Sequence, residues 1–176
     1  MKKIAIAIVL CCSLNANAQK TKGESIRTIL LEQLKTTHNK QDWFVSVINS
    51  LQGLTIEQAN WKPNDSIHSV AQLAAHLLFW NKNQLDKFKN NKEDAFDGNN
   101  EKTFANLTAE EWQSTVKQLD DVLTEWEKIV ATTDETKLTK WYNIVAHIST
   151  HNAYHTGQIL YVRKLQGSWN PDKGVK

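Results

Sequence analysis

Three histidines carry the chemistry that this sequence offers. His76 lies inside an apolar run with helical spacing at residues 70–80, and His151 and His155 stand four residues apart within residues 147–158. Four residues is a little over one helical turn, so the second pair shares a helix face. Imidazole nitrogen is a good ligand for zinc, nickel and related divalent ions. Three such ligands leave a coordination position open, which is how catalytic metals are held. A bare His-x-x-x-His spacing is a weak signal, and a single histidine on an apolar face is more often a satisfied core residue. The combination is stronger, because a buried imidazole needs partners for its nitrogens and each segment answers that need for the other.

The neighbouring residues set limits on the reaction. His147 lies one turn before His151 and fits a role near the site better than ligation, since ligands spread over two full turns converge poorly on one ion. Asn152 follows His151, so the general-base glutamate of the His-Glu-x-x-His metalloproteases is missing. Acid–base work then falls to His147, Tyr154, a hydroxide at the metal or the substrate itself. Gln158 is on the same side as His151 and His155; it orients a ligand, binds substrate or makes a packing hydrogen bond. His38 and His68 are read as polar surface. Ligand type favours zinc, with nickel, iron and manganese compatible.

The elements that must position these residues are helices. Two prolines, six glycines and apolar residues at helical spacing describe an all-α chain. The first helix is expected over residues 24–51, with Ile26, Leu30, Leu34, Phe44, Ile48 and Leu51 buried and a polar, distorted middle at 36–42. Thr55 with Gln58 forms a capping-box pattern for a short turn, and Trp61-Lys62-Pro63 redirects the chain. Ser69 with Gln72 opens the second long helix, which ends near Asn90. Residues 90–106 are polar and contain Asp97-Gly98, so they read as a loop. Thr108 with Glu111 caps a third helix that turns Trp112, Val116, Leu119, Leu123, Trp126 and Val130 inward. The fourth spans about 138–165, stops at Gly167 and buries Ile144, Ile148, Ile159 and Val162. Trp43, Trp80, Trp112, Trp126 and Trp141 fit core or near-core positions, and Trp61 and Trp169 cover bundle ends. Four amphipathic helices give a four-helix bundle, and His76 meets His151 and His155 only if the second and fourth helices are neighbours.

The N-terminus reads as a secretory signal over residues 1–18: Lys2 and Lys3, an apolar stretch at 4–14, and Ala16-Asn17-Ala18 as the cleavage site. One domain, 19–176, follows, and export to the periplasm or medium is expected. Both cysteines, Cys11 and Cys12, fall within the signal, so the mature domain has no disulfide, cysteine nucleophile or thiolate ligand. Without Lys2 and Lys3 the 21 lysines and arginines fall to 19, equal to the 19 acidic residues. Nothing in that balance suggests an electrostatic footprint for nucleic acid, and no nucleic-acid partner is expected. No membrane association is expected after cleavage.

At Trp61-Lys62-Pro63, at residues 69–80 with His76, and above all at His151-Asn152-Ala153-Tyr154-His155-Thr156-Gly157-Gln158-Ile159, the chain resembles the DinB-like (DinB/YfiT-like) superfamily. The resemblance covers most of the domain. It implies a four-helix bundle with a divalent metal held by His76, His151 and His155, and a possible homodimer. Characterised relatives include metal-dependent thiol S-transferases that use bacillithiol or mycothiol and an isomerase that uses mycothiol. The export signal is a departure from them, since low-molecular-weight thiols are mainly cytosolic. The expected function is therefore metal-dependent transfer, thiol S-transferase-like, or hydrolysis on a small-molecule substrate. The alternative is a non-catalytic metal- or small-molecule-binding bundle of the cell envelope.

Overall fold

The structure, a computed structural model, describes residues 25–174; the expected signal sequence, residues 1–18, lies outside the described residues. Six α-helices follow in order: α1 Ile26–His38, α2 Val47–Leu51, α3 Ile56–Asn60, α4 Val70–Lys89, α5 Ala109–Thr132 and α6 Glu135–Gln166. Short 3-10 turns form at Asn100–Thr103 and Pro171–Lys173. Each of the three capping boxes is realised: Thr55 with Gln58, Ser69 with Gln72, and Thr108 with Glu111 exchange side-chain and backbone hydrogen bonds. Asn90 and Gly167 close α4 and α6 in the left-handed conformation.

Helices α1, α4, α5 and α6 form the bundle. Helix α4 packs on α5 and α6, and α1 packs on the same two, so α1 and α4 are diagonal. Arg27 at the start of α1 bonds the Thr133 carbonyl and the Glu135 carboxylate, while His38 at its end reaches Asp120 and Glu127. Helix α1 therefore runs against α5 and along α6. Helix α4 runs with α5: Leu73 and Leu77 near its start share a cluster with Trp112 and Leu119, and Leu85 and Phe88 near its end share one with Trp126 and Val130.

Parallel neighbours need a long crossover, and residues 90–108 supply it. The crossover returns along α4 rung by rung. Asp94 pairs with Lys82, Phe96 packs on Phe79 and Trp80, Asn100 accepts from Trp80, Thr103 bonds His76, and Asn106 accepts from Gln72. A polar segment is thereby laid beside the histidines.

Two apolar clusters fill the bundle. One gathers Leu73, Leu77, Trp112, Leu119, Leu123, Ile159 and Val162; the other gathers Leu30, Leu34, Leu85, Phe88, Trp126, Val145 and Ile148. At the waist between them the polar residues Asn81 and Asn152 are buried. His76 and His155 lie just beyond.

The first helix differs from expectation. It ends at His38 and the chain resumes helix only at Val47. Thr36 and Thr37 turn their hydroxyls onto carbonyls of the preceding turn, and the Asn39 cap breaks the run. Continuing the apolar period through this break misplaces Trp43, which is 93% exposed, and Phe44, which is also exposed; Ile26, expected to be buried, is exposed at the first residue of α1. His38 is not surface: it is buried against α5 between Glu127 and Asp120. Ile144 is likewise exposed at a pocket wall.

Candidate metal centre

Helices α4 and α6 bring the three histidines to one point. His151 Nε2 lies 3.1 Å from His76 Nε2 and 3.0 Å from His155 Nε2. His76 and His155 are buried and His151 is half-buried. Metal–nitrogen bonds near 2.0–2.1 Å would put two ligand nitrogens about 2.9 Å apart at a right angle and about 3.3 Å apart at the tetrahedral angle. The observed separations fall within that interval. All three ligand nitrogens lie within 4.8 Å of one another, so one ion can be shared among them.

The other ring nitrogens explain why these atoms face inward. His76 Nδ1 is 2.6 Å from Thr103 Oγ1. That hydroxyl already donates its hydrogen to the Asn100 carbonyl at 2.7 Å, so it accepts from His76. His155 Nδ1 donates to Gln158 Oε1 at 2.6 Å, an oxygen that can only accept. Both rings therefore carry their proton on Nδ1 and turn an Nε2 lone pair toward His151. Two lone pairs aimed at a third imidazole are an arrangement that a cation satisfies.

Protonation is a poor substitute for that cation. Burial first, then the neighbouring imidazoles His155, His151 and His68, push His76 down to about 3. Burial, with His155 next, pushes His151 to about 4. His155 is lowered by burial, partly offset by its bond to Gln158. The three rings are neutral at physiological pH, the form that binds metal.

The cluster forms the floor of a pocket of about 910 Å³. Phe104, from the crossover, lies flat on His76 with ring centroids 4.1 Å apart, and His68 stacks on its far side at 3.8 Å. Trp80, held by its Nε1–H to Asn100 Oδ1 at 3.1 Å, forms a second aromatic wall. The expected neighbours are all present in the lining. His147 is exposed at the rim, and Gln158 bonds both His155 and, at 3.2 Å, the Tyr154 hydroxyl. Gln158 thus orients a candidate ligand.

Sequence reasoning missed Thr103, Phe104, His68 and Glu101 as site residues. Phe104 was the available signal, an aromatic anchor inside a polar segment. It also missed the Asn81–Asn152 pair, although Asn152 falls on the stripe of Ile148 and Ile159 and so had to be buried.

A helical bundle with three histidines from facing helices, able to hold a metal ion beneath an open pocket, is a recognisable class of protein. The family model of the DinB superfamily matches residues 46–159, a range that includes His76, His151 and His155. The chain belongs to the DinB superfamily. Searches of curated proteins and of solved structures find no significant match.

Proposed function

We propose that the protein is an exported metal-dependent enzyme that activates a nucleophile for transfer to, or hydrolysis of, a small molecule. The convergence of the three Nε2 atoms at the floor of an open pocket carries this reading. His76, His151 and His155 would hold the ion, and their neutral side chains leave its charge uncompensated. Zinc suits such a donor set, with nickel, iron and manganese as alternatives. When bound, the ion lowers the pKa of a coordinated water or thiol and polarises an electrophile.

The chain's own residues do the rest. Thr103 and Gln158 fix the ligand tautomers. Phe104 and Trp80 limit access of water from the sides. Tyr154 accepts from Gln158, so its own hydroxyl hydrogen is left to donate toward a ligand. His147, exposed at the rim, is placed to exchange protons with solvent. Export is supported by Lys2 and Lys3, the apolar stretch at 4–14 and Ala16-Asn17-Ala18. No helix among the described residues is long and apolar enough to cross a membrane.

The test is elemental analysis of untagged protein beside His151→Ala, with turnover measured on thiol–electrophile pairs and activated esters. Stoichiometric metal in the parent, its loss in the variant, and metal-dependent turnover are expected. Equal metal in both would remove the site. Metal without turnover on any pair would make the protein a binding module of the cell envelope. N-terminal sequencing of the mature protein should begin at Gln19.

A further inference from the structure

We propose that the pocket selects a small molecule bearing a single metal-binding group and no other negative charge, with an ammonium as the preferred distal group. The inference rests on the metal reading above and adds the substrate class. Its basis is the charge inventory of the lining. Among the described residues, no lysine or arginine lines the pocket, and Glu101 is its one carboxylate. Three imidazole ligands would leave a bound dication on the floor free to take one anionic or neutral metal-binding group. A carboxylate or phosphate elsewhere on the molecule would be desolvated with no lysine or arginine in the lining to pair with it, and Glu101 would repel it.

The walls favour the opposite charge. The bond from Trp80 to Asn100 fixes the indole beside the residue that precedes Glu101. Glu101, whose carboxylate lies 3.9 Å from His68 Nε2, lines the same pocket as that indole, and a carboxylate and an indole in one lining attract an ammonium through charge pairing and cation–π contact. Neutral polar groups, among them Gln84, Asn100 and Thr150, also line the wall and suit hydroxyl or amide groups. A pocket of about 910 Å³ accommodates a drug-sized molecule.

A matched probe series tests this. Benzohydroxamic acid, its 4-aminomethyl derivative and its 4-carboxy derivative share one metal-binding group and differ only in distal charge. Binding to the zinc-loaded chain is measured by calorimetry at pH 8, where ordinary imidazoles are neutral. The 4-carboxy probe should bind about tenfold more weakly than the parent compound, and the 4-aminomethyl probe more tightly. Glu101→Gln should erase the advantage of the 4-aminomethyl probe. Gln84→Lys, a change at a partly exposed helical position, should restore binding of the 4-carboxy probe. A 4-carboxy probe that binds as well as the parent, or a preference that survives Glu101→Gln, would overturn the proposal. So would failure of every probe on protein that elemental analysis shows to hold zinc. If the chain retains no zinc at all, the metal reading fails first and takes this inference with it.

Discussion

Asn81 and Asn152 hold each other by a reciprocal amide pair across the α4–α6 seam. Asn81 Nδ2 donates to Asn152 Oδ1 at 2.8 Å, and Asn152 Nδ2 donates back to Asn81 Oδ1 at 3.3 Å. Asn81 Nδ2 also reaches the Leu77 carbonyl, and the Asn81 carbonyl accepts from Trp126 on α5. Both side chains are buried between the two apolar clusters. A reciprocal pair has one register, so it fixes how far α4 slides along α6. Asn152 is adjacent to His151, and Asn81 is little more than one turn from His76. The register that satisfies the amides is the register that aligns the imidazoles.

Replacing Asn152 by Leu leaves Asn81 with unsatisfied polar atoms in an apolar setting. The expected loss is about 1–3 kcal/mol in urea denaturation. The double replacement, Asn81→Leu with Asn152→Leu, should cost less than the sum of the two single changes, since no orphaned amide remains. Metal affinity should fall in each single variant even where folding is retained. Additive losses with unchanged metal binding would contradict the register argument.

Thr103→Val preserves shape and removes the acceptor for His76 Nδ1–H. The His76 tautomer is then no longer fixed, and outer-shell losses of this kind typically weaken metal binding by about 10–100-fold. Thr103→Ser should keep most of the affinity. Competition against a chromogenic chelator measures both. Comparable loss in Val and Ser variants would mean that packing, not the hydrogen bond, is what Thr103 contributes.

Metal should stabilise the fold by mass action. At a hundredfold excess of free ion over the dissociation constant, the expected gain is about 2.7 kcal/mol. Thermal melting of the chain should rise on zinc addition and return on chelation, and His155→Ala should abolish the response. An unchanged melting temperature in the parent would weigh against folded-state binding.

Acid should destabilise the metal-free protein early. His76 and His151 stay neutral to about 3 and about 4 in the fold, and His155 is lowered too. In the unfolded chain the same rings take up protons near the ordinary value of about 6.5. Folded values below unfolded ones mean full stability above about pH 6.5, lost progressively as pH falls toward the folded values. Each group adds a slope of at most about 1.4 kcal/mol per pH unit, and half-buried His151 adds less. Urea midpoints of the chelator-treated chain should therefore drop between pH 7 and pH 5, before most carboxylates titrate. A flat profile over that range would show that the rings are not held neutral.

The bundle and its histidines were legible because local signals and period agreed. Helices α4 and α5 each carry an apolar stripe and open with capping boxes that form as written, whereas the buried face of α6 mixes Val145, Ile148, Ile159 and Val162 with Ser149, Asn152, His155 and Thr156. The spacing of His151 and His155 needs only one turn of helix to become a shared face. What was not legible depends on partners far away in sequence. Thr103 is polar and sits in a segment with no period, and only the parallel course of α4 and α5 lays that segment beside His76. Trp43 was assigned to the core by extending the stripe of α1 through a break that Thr36, Thr37 and Asn39 make locally. His68 gave no local sign of a role, since its stack on Phe104 needs the crossover to be in place.

His38 shows the same dependence and yields the last prediction. It ends α1, with Nδ1 2.6 Å from Glu127 Oε1 and Nε2 2.7 Å from Asp120 Oδ1. Both carboxylates come from α5, seven residues apart, so the ring bridges two turns of its neighbour. The ring is 1% exposed, while the Glu127 side chain is 22% and the Asp120 side chain 48% exposed. Water compensates the more exposed carboxylate when its bond is lost. Glu127→Ala should therefore destabilise more than Asp120→Ala. His38→Leu should cost about 1–3 kcal/mol, because the buried bonds vanish but both carboxylates can turn outward. Helix α1 lies diagonal to α4 and outside the matched segment 46–159, so these changes should leave metal stoichiometry unaltered. Chemical denaturation and elemental analysis on the same samples separate the two effects. Loss of metal in folded His38→Leu would show instead that α1 takes part in holding the site.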